Sequence, residues 1–315
     1  MFELSQHHED FRASVRDFAE REVEAAGLTA LALGKMGSFE LNYSSDIDIS
    51  LFYEPRLLGV ALRDGEEPQT FVDRAAKALS GLLMERNADG YVFRVDLRLR
   101  PDPASTQIAV STESALNYYG SVGQNWERAA MIKARVCAGD FKSGEDILAQ
   151  LSPFIWRKYL DFAAVADIEA LKRQIHAYRG HADIAVEGHN IKLGRGGIRE
   201  IEFFAQTRQL IAGGRDRDLQ CRDTVGGLAA LAAKNWIPRD VAEELTAHYR
   251  DHRDIEHRIY ATLPTRSVHR AAQHMSAPMG FIAGRRSREV AQIGLRATRA
   301  RVGTRLAWVD GSHLY

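Results

Sequence analysis

The sequence predicts an α+β fold in which a mixed core is followed by an all-helical region. Two observations support this prediction. Short segments before about residue 112 alternate apolar and polar residues as β-strands do, and the segments after it have helical spacing. A chain of 315 residues is long enough for one large or two small domains with buried cores.

Four short segments are predicted to be strands, because they are apolar or alternate with a period of two: 28–34, 46–54, 91–100 and 106–111. Between the second and the third, residues 69–87 have helical spacing, with Pro68 before them and Gly90 beyond them. This helix is expected to bury an apolar face made of Phe71, Ala75, Ala78, Leu79, Leu82 and Leu83.

The rest of the chain is predicted to be helical over 112–138, 144–161, 164–180, 199–213, 222–234 and 239–260. We therefore predict a catalytic domain over 1–145, a helical domain over 146–264 and a separate tail over 265–315.

The bulk composition is that of an ordinary globular protein, with 45% hydrophobic and 27% charged residues. Two cysteines in so long a chain argue against a disulfide framework. The polar start of the chain does not resemble a secretory signal, and no apolar stretch approaches the ~18 residues that span a bilayer. We expect a cytoplasmic protein without a membrane partner.

The predicted tail differs in charge from the rest of the chain. It contains nine arginines, no lysine and only Glu289 and Asp310 as acids, so it carries about +7 in a chain whose formal net charge is zero. One interpretation is a basic arm for nucleic acid. The other, which we adopt as a hypothesis, is a frameshifted or truncated end, because an altered reading frame in a GC-rich gene produces such a composition. We therefore expect no nucleic-acid partner.

Three aspartates form the sharpest functional signal. Asp46 and Asp48 are two residues apart on a predicted strand, so their side chains point to the same side. Asp96 lies in the predicted strand 91–100, where aspartate is disfavoured without a specific role. Carboxylates that lie side by side require a cation between them, and Mg²⁺ prefers hard oxygen ligands. The sequence thus predicts a metal site with Asp46, Asp48 and Asp96 as ligands. Either acidic segment by itself would more often be a solvated or salt-bridged surface.

A glycine–serine pair precedes the acidic pair. Seven residues separate Gly37 and Ser38 from Asp46, and a glycine allows the backbone to approach a phosphate closely. We predict that Gly37 and Ser38 bind the phosphate side of a nucleotide.

These residues lie in stretches that resemble a known family. The segment LALGKMGSFELNYSSDIDI (31–49) is similar to the nucleotidyltransferase motif of bacterial glutamine synthetase adenylyltransferase/deadenylase, and four further stretches agree. They are VDLRLRPDP (95–103), QNWERAAMIKARVCAGD (124–140), RKYLDF (157–162) and IKLGRGGIREIEFFAQTRQLIAGG (191–214). The GGIREIEF part of the last resembles the amino-terminal, deadenylylating half of that enzyme.

The resemblance implies a polymerase-beta-like nucleotidyltransferase core, followed by a helical domain like that of signal-protein uridylyltransferases. It implies that Asp46, Asp48 and Asp96 are catalytic and hold two Mg²⁺ ions. The implied reaction is phosphorolysis of an AMP-tyrosine bond on glutamine synthetase, which gives ADP and free tyrosine. A nitrogen signal protein is a further partner that the family suggests.

Four basic residues are candidates for contacts to the nucleotide and phosphate: Arg98, Arg100, Lys133 and Arg135. For each of them a solvated surface charge is an equal alternative. Trp126 and Glu127 are candidates for framing the nucleotide, although a large aromatic residue at a helix start is more often part of a core.

Two motifs in the helical region have simpler structural interpretations. The glycines around Arg195 could cradle a phosphate at a helix start, but we favour a packing role. His248 and His252 have a spacing that can bind zinc, yet an exposed polar helix is the stronger expectation.

Two rival functions remain. The chain could transfer AMP or UMP from a nucleotide to glutamine synthetase or to another acceptor, since the same carboxylates serve both directions of the reaction. It could also be an inactive truncated fragment that binds glutamine synthetase or a nitrogen signal protein.

Overall fold

The computed structural model describes residues 27–42, 45–58, 62, 64–86, 90–157, 191–194 and 196–262. The predicted helix 164–180 and the predicted tail lie outside these residues. The described residues fall into two compact units, of which the first comprises 27–41 and 45–157, and the second comprises Asn42 and the described residues after 190. The helix that follows Asp140 therefore belongs to the first unit, although the predicted domain border at 145 divides it.

The first unit is an α+β structure. Its elements are β1 Leu28–Ala32, α1 Gly34–Gly37, β2 Ile47–Tyr53, α2 Pro68–Met84, β3 Val95–Asp96, β4 Ala109–Ser111, α3 Thr112–Ser121, α4 Asn125–Met131, β5 Arg135–Gly139 and α5 Phe141–Ile155. The β-branched and aromatic residues of β2, with no glycine or proline among them, favour its extended backbone.

The five strands form one mixed sheet in the order β3–β2–β1–β5, and β4 also pairs with β2. Antiparallel pairing joins β1 to β2 and to β5, whereas β3 and β4 both run parallel to β2. Ile47 and Asp48 of β2 pair with β3, and Leu51 to Tyr53 pair with β4. The short β3 therefore lies beside the first residues of β2, where the acidic pair stands.

Helices cover both faces of this sheet. Val72 and Ala76 of α2 pack in one core cluster with Ala30 of β1 and with the inward side chains of β2. On the other face α5 lies so close that a Cβ at Gly144 would stand 2.6 Å from the Thr29 hydroxyl. Because both faces are covered, Phe52 on β2 is as fully buried as its alternating neighbours.

The predicted strand 91–100 is wrong for most of its length. Only Val95 and Asp96 pair with β2, and Val92 and Phe93 before them are 63% and 38% exposed. After Asp96 the chain turns away from the sheet. Alternation in the sequence therefore extended beyond the residues that find a partner strand.

Two helix predictions also need correction. The region 112–138 was expected to be one helix, but it contains α3, α4 and then β5, because Arg135–Gly139 pairs with the free edge of β1. In α2 the most buried residues are Val72, Ala76 and Ser80, whereas Leu82 of the predicted apolar face is 74% exposed.

The second unit is helical. It consists of α6 Ile198–Ala212, a 3₁₀ turn Arg217–Leu219, α7 Thr224–Ala233 and α8 Arg239–Thr262. Asp223 is the N-cap residue of α7, and its side chain accepts a hydrogen bond from the amide of Gly226 at 2.6 Å. One hydrophobic cluster, which includes Ile201, Leu228 and Leu245, joins the three helices. No helix among the described residues is long and apolar enough to cross a membrane.

Candidate metal and nucleotide site

The backbone places the predicted metal ligands at one end of the sheet. Asp48 and Asp96 are register partners on the parallel strands β2 and β3, so their Cα atoms lie side by side. Asp46 comes two residues before Asp48, and its side chain is 49% exposed. The sequence therefore predicted correctly that Asp48 and Asp96 stand on two strands, whereas Asp46 lies one residue before β2 begins. The tertiary structure adds that the two strands are adjacent.

Two arginines hold two of these carboxylates. The Nε of Arg94 donates to Oδ1 of Asp46 at 2.5 Å, and Arg98 donates from Nε and Nη2 to both oxygens of Asp96 at 2.5–3.1 Å. The amide of Arg98 also donates to Asp96 Oδ1 at 2.9 Å. Partial burial acts to raise the pKa of Asp96, but these hydrogen bonds from Arg98 bring it below its usual value. Asp96 is therefore a carboxylate anion at neutral pH.

The donor chemistry of this group fits a hard divalent cation, because carboxylate oxygens are its preferred protein ligands. Gly34 supports the arrangement: a Cβ there would lie 2.2 Å from Oδ2 of Asp48, so any other residue would force that carboxylate to move. The side chains of Asp46 and Asp96, however, are turned to Arg94 and Arg98. Among the described residues, no three His, Cys, Asp or Glu side chains are grouped closely enough to hold a metal ion. Binding would thus require at least one carboxylate to exchange its arginine for the cation.

The predicted phosphate turn is a single helical turn, α1, with tight contacts. A Cβ on Gly37 would lie 2.1 Å from the carbonyl oxygen of Lys133. Ser38 is 3% exposed, and its hydroxyl donates to Oε2 of Glu40 at 2.8 Å. The Nζ of Lys133 lies 3.7 Å from the same Oε2 atom. Ser38 and Lys133, two of the predicted phosphate contacts, therefore share the carboxylate of Glu40.

The residue after this turn has an unusual backbone. The amide of Phe39 donates to Met36 and that of Glu40 to Lys35, which is the hydrogen-bond pattern of a Schellman motif. Phe39 occupies the position that favours glycine, with φ of 59°, and is 75% exposed. Such a conformation costs a bulky residue about 1–2 kcal/mol. Because the Phe39 side chain is exposed, burial does not offset this conformational cost. A cation–π contact to its ring, worth about 0.5–1 kcal/mol, offsets part of it.

That contact comes from Arg135. Its guanidinium carbon lies 4.0 Å from the centre of the Phe39 ring, and its Nη2 donates to the carbonyl of Met36 at 2.9 Å. Arg135 was predicted to lie with Lys133 in a helix. Instead it is the first residue of β5, and Lys133 lies in the turn after α4. In this structure Arg135 braces α1 from the neighbouring strand.

Arg100 stabilises the loop that follows β3. Its guanidinium donates to the carbonyl oxygens of Leu97, Pro103, Thr106 and Gln107 at 2.8–3.2 Å. These bonds close the loop that carries the chain away from Asp96. A phosphate contact by Arg100 stays a prediction, and it would compete with these carbonyls.

Glu127 and Arg128 are buried at the start of α4. Glu127 accepts hydrogen bonds from the amide of Gln124 at 2.7 Å and from the Tyr118 hydroxyl at 3.1 Å. Its burial raises its pKa. Arg128 is fully buried, and burial lowers its pKa to about 10. Its guanidinium donates to the carbonyls of Phe154 and Ile155 at 2.9 and 3.1 Å. These contacts cap α4 and tie it to the end of α5.

The glycine turn before α6 favours packing over phosphate binding. The amide of Gly196 donates to Oε2 of Glu200 at 2.6 Å, and that of Gly197 to the carbonyl of Gly194 at 3.0 Å. These are the amides that a phosphate would need. His248 and His252 are 9% and 2% exposed, so the expectation of an exposed polar helix is wrong. The Nε2 of His252 lies 2.9 Å from the carbonyl of Gly196, which links α8 to the turn.

The comparisons with known proteins agree with this architecture. Residues 4–150 match the family glutamate-ammonia ligase adenylyltransferase, and residues 167–303 match the GlnD PII-uridylyltransferase family. The chain is 59% identical over 248 residues to a bifunctional glutamine synthetase adenylyltransferase/adenylyl-removing enzyme from Bradyrhizobium sp. strain BTAi1. It is 58% identical over 235 residues to the protein of that name from Rhizobium meliloti strain 1021.

The chain belongs to the glutamine synthetase adenylyltransferase/adenylyl-removing enzyme family. These matches cover 79% and 75% of the chain, but 25% and 24% of the relatives. The chain thus spans about a quarter of the length of the curated relatives it matches. The match to the uridylyltransferase family includes residues 265–303, which is most of the arginine-rich tail.

Proposed function

We propose that this chain removes AMP from adenylylated glutamine synthetase by phosphorolysis. The observation that carries the proposal is the register pairing of Asp48 with Asp96, with Asp46 two residues upstream, in a chain of this family. Asp46, Asp48 and Asp96 would hold two Mg²⁺ ions. When bound, these ions neutralise the phosphoryl charge and stabilise the leaving oxygen.

The proposed fold of the first unit is that of polymerase-beta-type nucleotidyltransferases. Its support is the order of the elements: β1, a Gly-Ser turn, the acidic pair at the start of β2 (Asp46 just before the strand and Asp48 in it), and the third acid on a parallel neighbour. The GGIREIEF segment (196–203), which leads into α6 and resembles the deadenylylating half of the family, supports AMP removal over AMP addition.

The proposed reaction needs positioning more than covalent chemistry from the protein. An oxygen of inorganic phosphate attacks the AMP phosphorus, and the bond from that phosphorus to the tyrosine oxygen breaks. The products are ADP and a tyrosinate, which takes up a proton from solvent because the pKa of tyrosine is about 10. Phosphate is already an anion, so no side chain has to remove a proton from it. In this proposal the turn at Gly37 and Ser38 binds on the phosphate side.

The test is to incubate the chain with adenylylated glutamine synthetase, phosphate and Mg²⁺ and to measure ADP. We expect ADP release that Asp46→Asn abolishes. The matched control is Asp146→Asn, which removes an exposed carboxylate of α5 and should leave the rate unchanged. Incorporation of AMP from ATP without ADP release from the adenylylated enzyme would favour the opposite direction. Binding without turnover would overturn the proposal in favour of a regulatory fragment.

A further inference from the structure

The two arginines beside Asp96 differ in how firmly they are held. Arg94 is anchored on several sides. Its carbonyl accepts the amide of Ile47 at 2.9 Å, its Nη1 donates to the Tyr91 hydroxyl at 2.7 Å, and its side chain is 22% exposed. Partial burial acts to lower the pKa of Arg94, but its hydrogen bonds with Asp46 and Tyr91 raise it. Arg94 therefore holds Asp46 from a fixed position.

Arg98 is held by one partner. Its side chain is 84% exposed, and within the part of the chain that the structure describes all its side-chain hydrogen bonds go to Asp96. The contact is bidentate, so the guanidinium covers both oxygens of the carboxylate. The charges of Asp48 and Asp46 also act on Arg98, in the same direction as that of Asp96. Its guanidinium thus lies within the field of all three carboxylates.

We propose that Arg98 is a displaceable counter-ion of the metal site, whereas Arg94 is a fixed positioning residue. The inference rests on the proposed function. In the free chain Arg98 neutralises Asp96 and blocks its oxygens. When a divalent cation binds, Arg98 leaves Asp96. The exchange costs little because the cation replaces the guanidinium on the largely buried carboxylate and the Arg98 side chain is already in solvent. The released guanidinium then contacts a phosphate of the nucleotide. Arg94 stays on Asp46 throughout.

The two roles predict opposite changes in metal affinity. Mn²⁺ binding to the whole chain, measured by electron paramagnetic resonance, should tighten about two- to fivefold in Arg98→Gln, since the exposed guanidinium no longer competes for Asp96. It should weaken in Arg94→Gln, since Asp46 loses its support. Arg74→Gln removes one positive charge from α2, where Arg74 pairs with Glu66, and should change nothing. Arg98→Lys keeps the charge without the bidentate geometry, so it should also tighten binding.

A second measurement separates displacement from a merely structural role. In the presence of Mg²⁺, Arg98→Gln should bind ADP severalfold more weakly than the parent chain, although it binds Mn²⁺ alone more tightly. Equal or weaker Mn²⁺ binding by Arg98→Gln, or a change of the same sign in Arg94→Gln, would overturn the inference. If the parent chain binds no Mn²⁺ that Asp48→Asn removes, the proposed function fails together with the inference. Thermal melting of each variant identifies any that has lost its fold.

Discussion

Two groups of charged residues, one in each unit, lie in opposite environments. In the first unit Asp46 and Arg98 stand at an open end of the sheet, with side chains 49% and 84% exposed. In the second unit Arg253 and Glu256 of α8 form an ion pair at 2.5 Å with side chains 10% and 0% exposed. Exposed charges can exchange partners at small cost, whereas a buried pair cannot. The first arrangement suits a site that binds and releases ligands, and the second suits a fixed core.

The largest effect is expected where the buried pair is broken. Glu256→Ala leaves the charge of Arg253 inside the helical unit, which should lower the free energy of unfolding by about 3–5 kcal/mol. Urea unfolding followed by circular dichroism measures it. Asp254→Ala, which removes an exposed partner of Arg258 one turn away, is the control and should cost less than about 1 kcal/mol. Equal losses in both variants would remove the distinction between the units.

A backbone contact near the site should be the next most sensitive. In Gly37→Ala the new Cβ would collide with the carbonyl of Lys133, which cannot move without shifting the chain before β5. We expect a loss of about 1–3 kcal/mol in the free energy of unfolding. The matched control is Gly81→Ala in α2, where a Cβ meets nothing within 4 Å and helix propensity favours alanine by about 1 kcal/mol. A stabilising Gly37→Ala would contradict the close approach seen here.

The buried Glu127 gives the first unit a pH-dependent component of stability. Burial raises its pKa above the ordinary 4.5, so the folded chain keeps this proton to higher pH than the unfolded chain does. Its favourable contribution is complete below the unfolded value and is lost as the pH rises through the folded value. Glu127→Gln should therefore gain stability relative to the parent chain between about pH 4 and about pH 7.

Urea titrations at both ends of that pH range measure the difference. Glu113→Gln, on the exposed first turn of α3, is the control and should show no such trend. A difference for Glu127→Gln that stays constant with pH would mean that this carboxylate titrates normally.

The smallest stability effect should come from the candidate site itself. Asp46→Asn weakens one partly exposed pair with Arg94, so the free energy of unfolding should fall by less than about 1 kcal/mol. The same substitution is expected to abolish ADP release. A large loss of stability would mean that Asp46 has a structural role like that of the buried Arg253–Glu256 pair.

Local patterns predicted much of the first unit. The strands β1 and β2 were found within one or two residues, because their alternation coincides with a buried sheet. The helix α2 was also found, since Pro68 favours its start. Its buried face was predicted less well, because the sheet contacts Val72 and Ala76 rather than the more apolar stripe that includes Leu82.

The sequence by itself determined the three aspartates, the place of Asp48 and Asp96 on two strands and the Gly-Ser turn before them, since a two-residue period and a glycine are local properties. Only the tertiary structure decided that Asp48 and Asp96 are neighbours, that β3 is two residues long and that Arg135 begins a strand. It also decided that Arg94 holds Asp46 while Arg98 holds Asp96. The physical reason is that strand pairing and ion pairing join residues far apart in the chain, and no local pattern specifies which partner comes within reach.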